Sequence, residues 1–149
     1  MMAYKGLKDL YSDFVDDIMV VGYEKVGNEV KKILHEESVD IYNQYDSTYP
    51  NRFFSGESGS FGDEESIVLT PTPRKNAVSF QVTNDAKGSL YDRDKYLDNI
   101  IATGEGYQFA RRPIPERPFV DNANERLENE NIVESVFSLE MKKRGWNIK

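Results

Sequence analysis

The sequence predicts an α+β fold with a long N-terminal helix, a small antiparallel sheet and a C-terminal helix. Three observations predict it. Apolar residues recur at three- and four-residue steps from Leu7 to Ile41. The stretch Ala77 to Thr83 alternates, with Val78, Phe80 and Val82 opposite Ser79, Gln81 and Thr83. A second helical stripe follows Phe119 and stops at Lys142-Lys143-Arg144-Gly145. The 149 residues suit one domain. In order it divides into a helix (1–41), a loop (42–65), a sheet region (66–110), a proline and arginine arm (111–119) and a helix (120–145).

In the first element, Leu7, Leu10, Phe14, Ile18, Val21, Val26, Val30, Ile33 and Leu34 form the stripe, and Tyr11, Val15 and Met19 widen it. Asp9, Asp13, Asp16, Asp17, Glu24, Glu29, Lys31 and Lys32 lie between them. No proline interrupts. A continuous helix here is about 50 Å long at 1.5 Å per residue. That is longer than a domain of this size covers, which predicts packing against a neighbouring copy. Gly22 and Gly27 each cost about 1 kcal/mol relative to alanine. They mark a bend or a close approach by another segment, and two helices broken between them are the alternative.

The loop that follows is rich in Tyr, Ser, Gly and Asp, and its length exceeds usual connections, which points to binding. Ser66 to Thr70 is a short apolar strand, Pro71 to Asn76 a turn, and Ala77 to Thr83 the partner strand of a hairpin with one solvated face. Tyr96 to Ile101 suits a helical turn or two, and Tyr107 to Ala110 a last short strand. In the C-terminal helix, Glu128-Asn129-Glu130-Asn131 breaks the phase of the stripe, so a kink or two short helices are expected. The basic end suits the negative pole of a helix, and Gly145 is placed as its C-cap residue.

Composition excludes several classes of function. There is no cysteine and one histidine, His35, so zinc sites and histidine-based triads lack parts. His35 sits inside the long helix and is expected to be structural or solvated. Gly56 to Gly62 lacks the Gly-Lys-Ser/Thr of a phosphate loop. The acidic pairs Asp16/Asp17 and Glu36/Glu37 diverge on a helix and are expected on a solvated face; Glu64/Glu65 is a weak calcium candidate. We therefore expect no enzyme, no metal and no cofactor. No stretch approaches an apolar membrane span and the N-terminus lacks a signal-like apolar region, so a soluble protein made in cytoplasm is expected.

The net charge of −7 is uneven: residues 1–65 carry six Lys/Arg against fourteen Asp/Glu, while residues 66–149 carry thirteen against twelve. An acidic protein repels nucleic acid. The asymmetry also lets the acidic half of one copy face the other half of the next, although an acidic half is also what a solvated helix face produces.

The segment Ala-Arg-Arg-Pro-Ile-Pro-Glu-Arg-Pro-Phe, 110–119, is the most informative. Its prolines fix φ near −65° and remove backbone donors, so it is stiff and suited to no central strand. Pro118 falls near the first helical turn, where a missing N–H costs least. Pro113 and Pro115 hold Arg111, Arg112 and Arg117 in an extended display, with Phe119 beside them. Arginine and aromatic residues are favoured at interfaces. The arm is an anchor for an acidic surface on a neighbouring copy, a contact to a DNA backbone, or an ordinary loop with surface arginines. With Tyr49, Arg52, Phe53 and Phe54 of the loop, these residues form the expected contact set.

Several motifs in this order resemble the tail-completion and head–tail joining proteins of tailed bacteriophages. They are Tyr45–Arg52 (Y-x-x-x-Y-x-N-R), Val82-Thr83-Asn84, Ile100–Gly104, Glu116-Arg117-Pro118-Phe119 and Met141–Gly145. The family often shows Gly-Gly-Leu where this chain has Gly56–Phe61, and a proline where it has Glu116. The resemblance implies a virion structural protein of the neck: a ring, expected to be homo-hexameric, between the head connector or stopper protein and the tail terminator or tail tube protein. DNA would pass through the lumen without specific binding. The alternative is a cytoplasmic adaptor or regulatory module that uses the loop at 49–61.

Overall fold

A computed structural model of the chain describes residues 6–43, 61–72, 74, 77–86 and 118–147. Helix α1 (Leu7–Val20), a π-helical turn (Val21–Val26) and helix α2 (Gly27–Asn43) follow one another without interruption. The helix is therefore continuous and widens where the alternative placed a break. Gly22 and Gly27 stand at the widened turn for a packing reason. A Cβ on Gly22 would lie 2.7 Å from Cγ1 of Val78, and one on Gly27 would collide with Cδ1 of Leu69. These are the places where the hairpin lies directly on the helix.

Strands β1 (Ile67–Pro71) and β2 (Phe80–Asn84) pair antiparallel, from Ile67 opposite Asn84 to Pro71 opposite Phe80. The ladder begins at Phe80, not at Ala77 as the alternation suggests, because Val78 is used against the helix instead. Helices α3 (Phe119–Asn129) and α4 (Ile132–Lys143) replace one C-terminal helix. They part where the stripe loses phase. Asn131 takes φ 48°, a left-handed conformation that asparagine tolerates better than most residues. Long N-terminal helix, two-stranded antiparallel sheet and C-terminal helices make the α+β fold that was expected. The elements expected at 96–101 and 107–110 lie outside the described residues.

The core gathers Ile33, Leu34, Phe61, Ile67, Ala86, Phe119 and Ala123, with Val82, Leu127 and Ile132 packed against it. It carries a polar staple. Buried Asn84 donates through Nδ2 to the Phe61 carbonyl (2.9 Å) and to Ser38 Oγ (3.5 Å), and its Oδ1 accepts from the Ala86 N–H at 3.1 Å. The Ser38 hydroxyl donates to the Leu34 carbonyl at 2.8 Å. One side chain thus ties helix, strand end and loop, and satisfies the polar atoms it buries.

Two expected solvated acids have a different use. Arg126 of α3 forks onto α2, donating to Glu36 at 2.8 Å and to Glu37 at 3.1 Å. The bond to Glu36, then that to Glu37, pushes the arginine pKa further up. Divergent neighbours on a helix are poor chelators of one ion, but a planar fork with five donors reaches both. His35 has a structural role: its Nε2 meets the Gly62 carbonyl at 2.9 Å.

Candidate subunit interface

Helix α1 stands apart from this core. None of its residues is buried. Its sequence gives a helix that its own chain only half covers. Leu7 is 84%, Tyr11 63% and Met19 40% exposed. Between this helix and the turn of the hairpin lies an open groove of about 730 Å³. Tyr11, Phe14, Val15, Ile18, Met19, Ala77 and Val78 form its apolar lining; Lys8, Ser12, Asp16 and Arg74 stand in it as polar groups. Asp9, Asp13 and Asp16 are exposed and follow four- and three-residue steps, so they make one acidic row along the helix, and of the three Asp16 lines the groove.

The end of α4 fixes the far side of α1, and its sequence explains how. Gly145 has φ +91°, open to glycine at little cost. The Trp146 N–H then reaches back to the Met141 carbonyl (3.1 Å) and the Gly145 N–H to the Lys142 carbonyl (3.0 Å). This 6→1 and 5→2 pair is a Schellman turn. The turn delivers Trp146 to α1, where the indole Nε1 donates to Asp17 Oδ2 at 2.7 Å and the Arg144 guanidinium donates to Asp17 Oδ1 at 2.8 Å. Trp146 also meets Phe14 edge-on, ring centroids 4.8 Å apart. Asp17 therefore serves an internal anchor, while Asp9, Asp13 and Asp16 face outward.

Of the expected contact set, Phe119 lies in the core. It is fully buried, T-shaped on Phe61 with ring centroids 5.1 Å apart. Pro118 occupies the N-cap position of α3, and the residue after it turns inward. Phe119 is thus a packing residue of its own chain, which corrects its assignment to a contact surface. Tyr49, Arg52, Phe53, Phe54, Arg111, Arg112 and Arg117 lie outside the described residues. Tyr11, Met19 and Leu7 were missing from the set. The signal for them was the width of the N-terminal stripe, which exceeds what a small core can cover.

Other chemistry is sparse. Among the described residues, no group of three or more His, Cys, Asp or Glu is placed to hold a metal ion. A recess of about 210 Å³ beside His35 is lined by Asn28, Lys31, Lys32, Glu64 and Ile67 and mixes both signs of charge. No described helix is long and apolar enough to cross a membrane. Comparison with known proteins matches the model of the YomN family to residues 6–143, from the start of α1 to the end of α4. No curated protein and no solved structure matches.

Proposed function

The chain belongs to the YomN family, a phage-derived family, and is phage-associated; on that premise we propose that it is a structural subunit of a tailed phage particle which joins its neighbours through α1. The observation that carries this reading is the exposed apolar face of α1, a helix with no buried residue beside a groove of about 730 Å³. Apolar faces of this kind on soluble proteins mark interaction surfaces. The motif order set out above supports placement in the neck, as a ring between the head connector or stopper and the tail terminator or tail tube. Such a ring closes only through heterologous contacts, in which one face meets a different face of the next copy. The proposal includes no catalytic step and no cofactor. DNA passes the ring without being gripped, because a wall of net negative charge repels phosphate.

The test is direct. Purified particles are analysed by mass spectrometry for this chain, and the isolated protein by light scattering, alone and with the connector. A ring, or assembly on the connector only, is expected. A protein that stays monomeric under both conditions and is missing from particles rules the reading out.

A further inference from the structure

The groove beside α1 carries its own complement. We propose that α1 of a second copy, antiparallel about a two-fold axis at Ser12, occupies it in the free protein; this rests on the reading of α1 as the subunit interface.

Charge selects the occupant. The charged groups that line the groove are Lys8, Asp16 and Arg74, and all three are exposed. Among the described residues, neither Lys8 nor Asp16 has an ion-pair partner in its own chain. They cannot pair with each other, because eight residues of helix separate them by about 12 Å. Lys8, Ser12 and Asp16 follow four-residue steps and so share one side of α1. When a second α1 is turned end for end about Ser12, Lys8 of each copy comes level with Asp16 of the other. Both unpaired charges then find partners, once on each side of the axis. The remaining acids avoid one another in this register, since Asp9 falls level with Val15 and Asp13 with Tyr11. A parallel, in-register pair would instead stack Asp9, Asp13 and Asp16 each on its own counterpart, which is repulsive. Arg74, on the hairpin side, gives the groove one cation more than it has acids. That suits an incoming helix whose exposed charges are one lysine and three aspartates.

Apolar contact follows the same register. Leu7 comes within one residue step, about 1.5 Å along the axis, of level with Ile18 of the other copy, and Tyr11 within one step of Phe14. Leu7 and Tyr11 are the exposed ridge of the helix, while Phe14 and Ile18 line the groove. Ser12 lies on the axis, where a small side chain lets two helices approach closely.

The overlap runs from Leu7 to Asp17, about 16 Å of helix. A contact this small gives a dimer that dissociates on dilution. A two-fold contact uses the same patch on both copies and closes at two, so it cannot propagate a ring. In a ring-forming subunit the pair keeps the apolar face of α1 out of water before assembly, and the heterologous contacts of the particle replace it.

Sedimentation equilibrium of the full-length protein over a range of concentrations tests the pair. A reversible monomer–dimer equilibrium is expected. Lys8→Asp and Asp16→Lys should each weaken it about tenfold, since each removes two exposed pairs per dimer. Mixed one to one, the two variants should associate again, because every level pair is once more a lysine facing an aspartate. Lys8→Asp places an acid in the first helical turn, which the helix dipole favours, and both variants should keep the circular dichroism of the parent. A mixture that associates no better than either variant alone, or a parent chain that is monomeric at every concentration, overturns the proposal; the groove then belongs to the chain's own segments or to a different protein. Because the chain has no cysteine, Ser12→Cys reports the axis. It should form a disulfide between copies faster than Asp13→Cys, which lies about 100° further round the helix. Equal rates overturn the axis at Ser12. Particles that contain the chain while the free protein is monomeric remove the pair and leave the ring standing. A dimer that is absent from particles removes the ring reading and leaves the pair.

Discussion

Asn84 shows how much one polar side chain can organise. Its amide is satisfied on both sides, by the Phe61 carbonyl and the Ala86 N–H, beside a cluster of aliphatic and aromatic groups. Asn84→Ala withdraws a donor from one and an acceptor from the other. We expect a loss of about 1–3 kcal/mol of stability, read as a lower urea midpoint with an unchanged slope. The glycines give a paired test. Gly22→Ala drives a methyl against Val78, and overpacking of this kind costs about 1–3 kcal/mol. Gly6→Ala meets nothing within 4 Å and has extended backbone geometry, so it should leave the midpoint unchanged. If both variants behave alike, the hairpin does not lie on the helix at Gly22.

Between elements, the joint of α1 with α4 depends on a single turn. Gly145→Ala places a Cβ at φ +91°, where side chains are strained. It should cost about 1–2 kcal/mol, the left-handed penalty. Its second consequence is local. With the Schellman turn disturbed, Trp146 and Arg144 lose their hold on Asp17, and amide exchange in residues 7–20 should accelerate well before that of α2. Uniform acceleration across both helices would show that α1 has no separate anchor. Arg126→Met tests the other joint: it leaves Glu36 and Glu37 facing α3 without their fork, at about 1.5–3 kcal/mol for charged hydrogen bonds that are partly exposed. The elements themselves were legible in the sequence because each has a local period: the stripe of α1 and α2, the alternation of the hairpin, the phase slip at Asn131. The joints were not. Arg126 stands 89 and 90 positions from its acids, and Trp146 stands 129 from Asp17. No periodicity links such partners, so Glu36, Glu37 and Asp17 look like solvated acids until the helices are packed. Phe119 misled for a related reason: a ring after a proline at a helix start faces either way, and only Phe61 decides which. The exposed face of α1 was legible in outline, as a stripe too long and too wide for its domain, but the groove needs the hairpin turn to complete it.

For the whole molecule the difficulty is charge. Each copy carries a net −7, so copies repel one another at long range. Association must therefore rest on apolar contact and on local pairs of opposite charge. Tyr11→Asp tests the first. Because Tyr11 is exposed, the melting temperature should stay within the change that about 0.5 kcal/mol produces, while assembly is lost. A fallen melting temperature with assembly intact would return Tyr11 to the fold of its own chain. Salt separates the two electrostatic terms. Screening acts over about 30 Å at 0.01 M and about 10 Å at 0.1 M, so net repulsion between copies weakens first, while lysine–carboxylate pairs in contact persist. Further salt screens those pairs as well. Light scattering across a salt series should therefore show assembly rising to a maximum at about 0.1–0.3 M and falling beyond it. In the Asp9→Asn, Asp13→Asn, Asp16→Asn variant the falling limb should disappear, because the pairs that high salt would break are no longer present. A wild-type curve that climbs without a maximum would mean that the acidic row of α1 takes no part in assembly.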